Sequence, residues 1–277
     1  MSRLSLRDWL VAGGHCTGLK EAEALIIAGK VLVNDVPAKA GQQVSVRDRV
    51  RLRDKPLPYA AKGGLKLEGA IRAFHLNPSG RVCLDAGAST GGFTDCLIKH
   101  GAKLVYAVDA GFGQLTGTLR QDPRVVNLEK TNISDPSLLE LNPRPDFASC
   151  DLSYLSLRKA IPAYLEILHG QGDIAALVKP LFEVDDAKAR RSGVLKDTAY
   201  EPLLQSLIIN LNSLEGVFVR NVCESPVKGN HGTLEFFLHI RLGIKCDLVS
   251  LDEEISVSVH RALLTASYQK GFKAKDE

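Results

Sequence analysis

The stretch RVCLDAGASTGGFT, residues 81–94, decides the fold of this chain. It begins as a short apolar run typical of a buried strand, reaches Asp85, and then breaks into Gly87, Gly91 and Gly92. Glycine accepts the backbone conformations that a tight turn under a ligand requires. The residues that follow, FTDCLIKHG, have helical periodicity. A strand, a glycine-rich turn and a helix start predict the ligand-binding edge of a doubly wound α/β sheet.

The spacing of the glycines bears on the ligand. A dinucleotide site needs G-x-G-x-x-G, so that the helix N-terminus can hold a pyrophosphate, whereas this chain has D-x-G-x-x-x-G-G. Asp85 would repel a pyrophosphate, but its carboxylate can accept hydrogen bonds from the ammonium group of S-adenosylmethionine. The next apolar run, KLVYAVDAG, ends in Asp109, where a carboxylate typically holds ribose hydroxyls. The pattern predicts an S-adenosylmethionine site; a bare Rossmann turn and a nicotinamide or flavin site are the alternatives.

The predicted cofactor contacts come from the turn, from the start of the helix and from neighbouring strand tips. Asn132 belongs to this set because the run RVVNLEKTN ends where an adenine edge would lie. The complete set is Asp85, Gly87, Ser89, Gly91, Gly92, Phe93, Asp109, Asn132 and Asp151.

Length and composition are those of an ordinary globular protein. At 277 residues the chain can hold one α/β domain and a smaller module, at roughly 100 to 200 residues per domain. No apolar run approaches the roughly 20 residues that cross a bilayer, and Arg7 and Asp8 interrupt the start, so no signal peptide is predicted. The six cysteines are widely spaced, which predicts neither a disulfide framework nor a metal site. We expect a cytoplasmic protein without a membrane partner.

Charge is unevenly distributed along the chain. Residues 1–60 hold ten Lys and Arg against six Asp and Glu, a net of +4, whereas the whole chain is at +3. The remainder is therefore close to neutral, at −1. A small basic module beside a neutral body indicates an anionic partner, although a solvated basic face would have the same composition.

The N-terminal module has the pattern of two helices followed by a small sheet. LRDWLVAGG and LKEAEALIIAGK are helical, and VLVNDVPAK predicts two strands joined at Asn34-Asp35. This order, and above all IIAGKVLVND, resembles the S-four RNA-binding domain over about residues 3–53. The chain departs from that family at residues 18–20, GLK, where a small residue and an arginine are usual. The resemblance implies RNA contacts, which we expect from Arg3, Arg7, Lys20 and Lys30.

The rest of the chain alternates strands and helices. Its strands predict a Rossmann-like seven-stranded α/β sheet in which six strands are parallel and the last is reversed. Residues 184–196 are expected to form a polar loop. The predicted organisation is a small α+β RNA-binding module at 1–54, a linker at 55–60, the α/β body at 61–243 and a C-terminal tail at 244–277 to which no chemistry is assigned.

Four ionisable residues are expected at the mouth of this sheet. Asp151 and Lys179 follow strands, Glu235 lies in the final strand, and Lys66 belongs to the preceding helix. Each one alone has a plain structural interpretation, as a surface lysine, a capping carboxylate or a member of a strand-end ion pair. Four such groups beside a methyl-donor turn indicate a catalytic site.

A series of motifs along most of the chain resembles the TlyA family of ribosomal RNA methyltransferases, whose catalytic domain is similar to FtsJ-type ribose methyltransferases. The motifs are GGLKLEGA at 63–70, DAGASTGGFTDCL at 85–97, VYAVDAG at 105–111, CDLSYLSL at 150–157, LVKPLFE at 177–183 and SPVKGNHGTLEFFLH at 225–239. The resemblance implies methyl transfer from S-adenosylmethionine to the 2′-hydroxyl of cytidine in ribosomal RNA of ribosomal subunits, with no DNA partner. The family's catalytic tetrad falls on Lys66, Asp151, Lys179 and Glu235.

A ribose hydroxyl is a poor nucleophile, so its attack on a methyl group requires a base and an in-line geometry. Our hypothesis is that Lys179 is the base, that desolvation and repulsion from Lys66 favour its neutral form, and that Lys66 stabilises the forming alkoxide. No metal ion is invoked. Two other functions are alternatives: a haemolysin acting on membranes, because TlyA-like proteins often carry that name, and a non-catalytic RNA-binding ribosome-assembly factor.

Overall fold

The computed structural model describes residues 4–16, 18–45, 48–53, 57–229, 232–243 and 250–273, with side chains of the last segment described to residue 266. The chain divides into two compact units, Met1–Leu57 and Pro58–Glu277. The division falls inside the stretch predicted as a linker, and Tyr59 of that stretch is buried within the second unit.

The first unit contains short helices and strands. They are β1 (Leu4–Ser5), α1 (Leu6–Ala12), α2 (Leu19–Ile27), β2 (Val31–Val33), β3 (Val36–Pro37), β4 (Gln43–Val44) and β5 (Val50–Leu52). Strand β2 lies between β3 and β5, and β1 pairs with β4. Asn34 and Asp35 both have positive φ, 53° and 66°, as the two central residues of a type I′ hairpin require. The apolar faces of α1 and α2 pack on β2 through Leu10, Ile26 and Val31.

The second unit alternates strands and helices. Its elements are α3 (Gly63–Ala73), β6 (Val82–Ala86), α4 (Gly92–Lys99), β7 (Leu104–Asp109), α5 (Gly117–Arg120), β8 (Val125–Glu129), β9 (Phe147–Cys150), α6 (Leu157–Ile167), β10 (Gly172–Val178), α7 (Pro180–Glu183), α8 (Ala187–Ser192), α9 (Tyr200–Asn212), β11 (Val217–Glu224), β12 (Phe236–Leu242) and α10 (Asp252–Lys273), with 3₁₀ turns at Pro136–Glu140 and Asp197–Ala199.

The seven strands of this unit form one mixed sheet in the order β11-β12-β10-β9-β6-β7-β8. Strand β12 is antiparallel to both β10 and β11, and the pairs among β10, β9, β6, β7 and β8 are parallel. All residues of β6 and β10 are buried, because helices cover both faces of the sheet. The predicted fold class is confirmed. The reversed strand is the last in sequence, yet it lies inside the sheet between the fifth and sixth strands.

Two segments differ from their predictions. Residues 184–196, expected as a loop, contain the six-residue helix α8, which Asp186 caps at the N-terminus and Gly193 ends with φ 68°. Because helix α8 buries only Ala189, its sequence lacks the apolar periodicity from which a helix is predicted. The segment predicted as a separate tail contributes α10, whose Ile255 and Val259 belong to the core that also includes α9 and β11.

Candidate functional site

The carboxyl ends of the parallel strands surround a cavity of about 1100 Å³. This is the edge of an open α/β sheet where ligands bind. The predicted residues that line the cavity are Lys66, Gly87, Ser89, Gly92, Phe93, Asp151, Lys179 and Glu235. Four other predicted cofactor residues, Asp85, Gly91, Asp109 and Asn132, do not line it.

The glycine turn forms the floor of this cavity. The N–H of Gly87 donates to the carbonyl of Val108 at 2.9 Å, and its φ is 88°. A Cβ atom at this position would lie 2.5 Å from the carbonyl oxygen of Asp151, so only glycine lets the two strand tips approach so closely. Gly91 has φ 96° and opens helix α4. The turn therefore links β6, β7 and the loop that follows β9.

Asp85 lies beneath the turn rather than in the cavity, so in this structure its carboxylate does not face the space where a ligand is expected. Its side chain is fully buried, and its two carboxylate oxygens accept hydrogen bonds from the hydroxyls of Thr94 at 2.6 Å and Ser149 at 2.9 Å. Burial raises the pKa of Asp85 to about 6, although both hydroxyls oppose that rise. In this structure the residue joins α4 to β9.

Asp109 also bonds the backbone of the turn. Its carboxylate accepts from the N–H of Ser89 at 2.7 Å and from the N–H of Gly111 at 2.6 Å. An ionised carboxylate has about four acceptor positions, so two positions stay available to a ligand hydroxyl. Asn132 bonds within its own turn, where its side-chain oxygen accepts from the N–H and hydroxyl of Ser134.

Lys66 and Glu235 form the first and more deeply buried of two ion pairs in the cavity. Their Nζ and Oε2 atoms are 2.5 Å apart, and the side chains are only 13% and 6% exposed. Burial raises the pKa of Glu235, and the nearby Lys66 opposes this rise. Glu235 immediately precedes β12 rather than lying within it, and its carbonyl accepts from the N–H of Ser225. The pair joins α3 to the start of the reversed strand.

Lys179 and Asp151 form the second pair, with Nζ 2.6 Å from Oδ1. The Nζ of Lys179 also donates to the hydroxyl of Ser153 at 3.0 Å and to the carbonyl of Asp151 at 3.4 Å. Pro180 begins α7 at once, so Lys179 is held at the tip of β10. Lys66 and Lys179 therefore each have their own carboxylate partner.

Several residues of the cavity wall were not predicted as site residues. Tyr154 is 90% exposed, has φ 66°, and packs against Phe182 with ring centroids 5.2 Å apart. Arg190 and Arg191 of α8 also line the wall. The adjacent arginines in AKARRS indicated local positive charge. Because this segment was expected to form a loop, the sequence did not predict that they line the cavity. Nothing in the sequence indicated that Tyr154 is exposed at the cavity.

Three of the four predicted RNA contacts lie within the described residues of the first unit, and Arg3 lies outside them. Lys20 is exposed on the first turn of α2, and Lys30 is half-buried after Gly29. Arg7 forms an exposed ion pair with Glu23 at 3.5 Å, so part of its charge is compensated within the unit.

Within the described part of the chain, no helix combines the length and apolar character needed to cross a membrane. None of the His, Cys, Asp and Glu side chains in that part gather in threes as metal ligands would.

A mixed seven-stranded sheet with one reversed strand, and a glycine turn below a cavity at its carboxyl edge, define the fold of S-adenosylmethionine-dependent methyltransferases. Residues 59–242 match the family model described as FtsJ-like methyltransferase. The chain belongs to the FtsJ-like methyltransferase family, and the protein is a methyltransferase.

Full-length relatives carry two kinds of name. The 16S/23S rRNA (cytidine-2′-O)-methyltransferase TlyA of Mycobacterium tuberculosis is 37% identical over 92% of this chain and 95% of that protein. Hemolysin A of Brachyspira hyodysenteriae is 34% identical over 85% of this chain and 99% of that protein. A solved structure from Streptococcus thermophilus that carries the name hemolysin covers all of both chains with a TM-score of 0.72 and 31% identity. Members of the TlyA group are therefore similar to this chain along most of its length.

Proposed function

We propose that this methyltransferase transfers the methyl group of S-adenosylmethionine to the 2′-hydroxyl of cytidine in ribosomal RNA. The observation that carries the proposal is the presence of two partly buried ion pairs, Lys66–Glu235 and Lys179–Asp151, in one cavity above the glycine turn. The name of the Mycobacterium tuberculosis relative supports the substrate.

The glycine turn and its neighbours fit the cofactor. A cavity of about 1100 Å³ is larger than the roughly 300 to 1,000 Å³ of most small-molecule sites, so it has space for a cofactor and an acceptor nucleotide together. We assign Gly87, Ser89 and Phe93 to contact with the cofactor. Asp109 fixes the backbone of Ser89 and offers its remaining lone pairs to a ribose. When bound, S-adenosylmethionine supplies an electrophilic methyl group.

Lys179 is the proposed general base. In its neutral form the Nζ atom would take the proton of the 2′-hydroxyl. Bound S-adenosylmethionine would supply the methyl group to the ribose oxygen, and its methyl–sulfur bond would break to leave S-adenosylhomocysteine. Asp151 anchors the amine from one side. Lys66 donates to the developing negative charge on the ribose oxygen, and Glu235 keeps Lys66 charged and fixed in direction.

The proposed acceptor is a polyanion, and we assign contacts with its phosphates to basic residues of the first unit. Lys20 and Lys30, with Arg3 and Arg7, belong to the proposed RNA-binding module at residues 1–54. Ribosomal subunits in the cytoplasm are the proposed partner.

The direct test measures transfer of labelled methyl from S-adenosylmethionine to purified small and large ribosomal subunits. We expect incorporation that survives alkaline hydrolysis as a 2′-O-methyl cytidine, and we expect Lys179→Ala to abolish it. Lys188→Ala is the control, since Lys188 is exposed on α8 and does not line the cavity. Cofactor binding without incorporation into either subunit would favour the assembly-factor alternative. Lysis of red cells by the purified, lipid-free protein would favour the haemolysin alternative.

A further inference from the structure

The amino group of Lys179 is surrounded by acceptors from one short segment. Its Nζ atom lies 2.6 Å from Oδ1 of Asp151, 3.0 Å from Oγ of Ser153 and 3.4 Å from the carbonyl oxygen of Asp151. The Ser153 hydroxyl and the Asp151 carbonyl accept hydrogen bonds from Nζ, whereas Oδ1 of Asp151 contacts the amine as an ion-pair partner without hydrogen-bond geometry. A neutral amine keeps two protons, and these match the two hydrogen bonds.

The backbone that presents Ser153 is unusual. The next residue, Tyr154, has φ 66°, a conformation that an aromatic residue rarely adopts and that costs free energy. This turn places the exposed Ser153 in the cavity wall, facing an amine that comes from the neighbouring strand tip. Strained residues that persist in this way cluster at functional sites.

We propose that Ser153 is a positioning residue that orients the Nζ atom of Lys179 for proton abstraction. With the Ser153 hydroxyl and the Asp151 carbonyl each accepting one proton, rotation of the amine about its Cε–Nζ bond is restricted, and its lone pair has a fixed direction. Without Ser153, the longer hydrogen bond to the Asp151 carbonyl would be the one that restrains this rotation. The inference rests on the proposed role of Lys179 as base.

The contact also affects the charge of the amine. A hydrogen bond from an ammonium group is roughly twice as strong as one from a neutral amine, so the Ser153 hydroxyl favours the protonated form. Its loss moves the rising limb of the pH–rate profile to lower pH. The other charged or titratable groups that interact with this amine include Asp151, Glu235 and Cys150. The cavity that contains it is also lined by Lys62, Lys66, Tyr154, Arg190, Arg191, Asp197, Tyr200 and Lys228.

The test compares Ser153→Ala, Ser153→Thr and the wild-type protein in methyl transfer to ribosomal subunits. We expect Ser153→Ala to lower kcat on the order of tenfold with KM for RNA unchanged, and to shift the rising limb to lower pH. Ser153→Thr keeps the hydroxyl and should restore kcat. Ser213→Ala, an exposed serine at the end of α9, is the control. An unmoved limb, or a threonine variant no better than alanine, would overturn the inference.

A second measurement is independent of RNA. The ¹⁵N resonance of Lys179 Nζ, assigned with Lys179→Arg, is followed during a pH titration of the wild-type and Ser153→Ala proteins. We expect the midpoint to fall in Ser153→Ala, and an unchanged midpoint would contradict the inference. A wild-type protein that methylates no ribosomal RNA would instead refute the proposed function, and the titration would still decide whether Ser153 acts on Lys179.

Discussion

Single carboxylates near the carboxyl edge of the sheet have different surroundings and therefore different roles. Asp85 is buried among hydroxyls and supports the turn, and Asp109 holds two backbone N–H groups. Asp151 and Glu235 instead face lysines in the cavity. Residue type alone does not separate these roles, because the contacts of each carboxylate decide them.

Replacing Asp85 with Asn should remove a pH dependence of stability. Burial raises the pKa of Asp85 from 3.8 to about 6, so the folded protein binds this proton more tightly than the unfolded chain does. The stabilising effect is present below about pH 4 and is lost as the pH rises to about 6. That rise corresponds to about 3 kcal/mol. Urea unfolding at pH 4 to 7.5 measures the free energy of unfolding of the wild type and of Asp85→Asn. The wild-type value minus the variant value should fall by most of this amount of about 3 kcal/mol as the pH rises. A constant difference would contradict the prediction.

Breaking the Lys66–Glu235 pair should cost more stability than removing both charges. Lys66→Met leaves Glu235 buried without its partner, and we expect a loss of about 3 kcal/mol at neutral pH. Because Lys66 opposes the raised pKa of Glu235, its loss raises that pKa further, and the variant should recover stability at lower pH.

The matched variant Lys66→Met/Glu235→Gln should regain most of the stability but no methyl transfer. Urea unfolding and labelled methyl incorporation, measured side by side, check both parts. Equal stability of the single and double variants would argue against the ion-pair explanation.

At the scale of elements, the site is assembled from strand tips and from short helices that follow them. Lys179 ends β10 and Pro180 starts α7, while α8 brings two arginines to the wall. Arg190 is 3.6 Å from the exposed Asp185, and the Nε of Arg191 donates to the carbonyl of Ala187 in its own helix. Neither arginine is strongly compensated by a buried carboxylate. Helix α8 therefore presents positive charge to the cavity, where the proposed RNA substrate would bind.

Charge reversal in α8 should weaken RNA binding without affecting the cofactor. We expect Arg190→Glu/Arg191→Glu to raise the Kd for ribosomal RNA at least about tenfold and to reduce the slope of log K against log salt by about 1.5, since two phosphate contacts are lost. Filter binding at several salt concentrations measures both quantities. Lys188→Glu on the same helix should change the affinity much less, and equal effects of the two variants would remove the special role of the cavity-facing arginines.

Helix α10 should be required for the stability of the second unit. Ile255 is 2% exposed in the core, whereas Val257 is 42% exposed on the same helix. Ile255→Ala should lower the free energy of unfolding by about 2 to 5 kcal/mol through the lost contacts and the cavity left behind. Val257→Ala should change it by less than about 0.5 kcal/mol. Denaturant unfolding of the two variants compares them directly, and similar values would show that α10 is not part of the core in solution.

At the scale of the whole molecule, positive charge is concentrated in the first 60 residues, and the proposed catalytic groups lie in the second unit. The proposed RNA-binding residues and the proposed catalytic residues therefore belong to different units. Exposed cations contribute mainly salt-dependent, sequence-independent affinity for nucleic acid.

Removing positive charge from the first unit should therefore affect RNA affinity alone. We expect Lys20→Glu/Lys30→Glu to raise KM for ribosomal subunits while the Kd for S-adenosylmethionine, measured by calorimetry, stays unchanged. Lys103→Glu, an exposed substitution of the same type in the second unit with half the charge change, is the control. An unchanged KM in the double variant would refute RNA binding by these two residues.

The sequence by itself determined the local elements and the chemistry of the strand tips. Apolar periodicity and turn residues depend on short-range structure. The strand, glycine turn and helix at residues 81–99 could therefore be predicted from the sequence of that segment alone. The motifs also identified the family. The same reasoning located Asp151 and Lys179 at strand ends, because a strand end is a local property.

Only the tertiary structure decided which of these groups meet. Lys66 and Glu235 are 169 positions apart, and their contact depends on β12 lying next to β10 inside the sheet. Asp85 points into the core because hydroxyls from α4 and β9 donate hydrogen bonds to it there. Helix α10 is part of the core because its apolar residues pack against β11. These contacts depend on burial and packing between segments that are distant in sequence, so short-range sequence patterns cannot predict them.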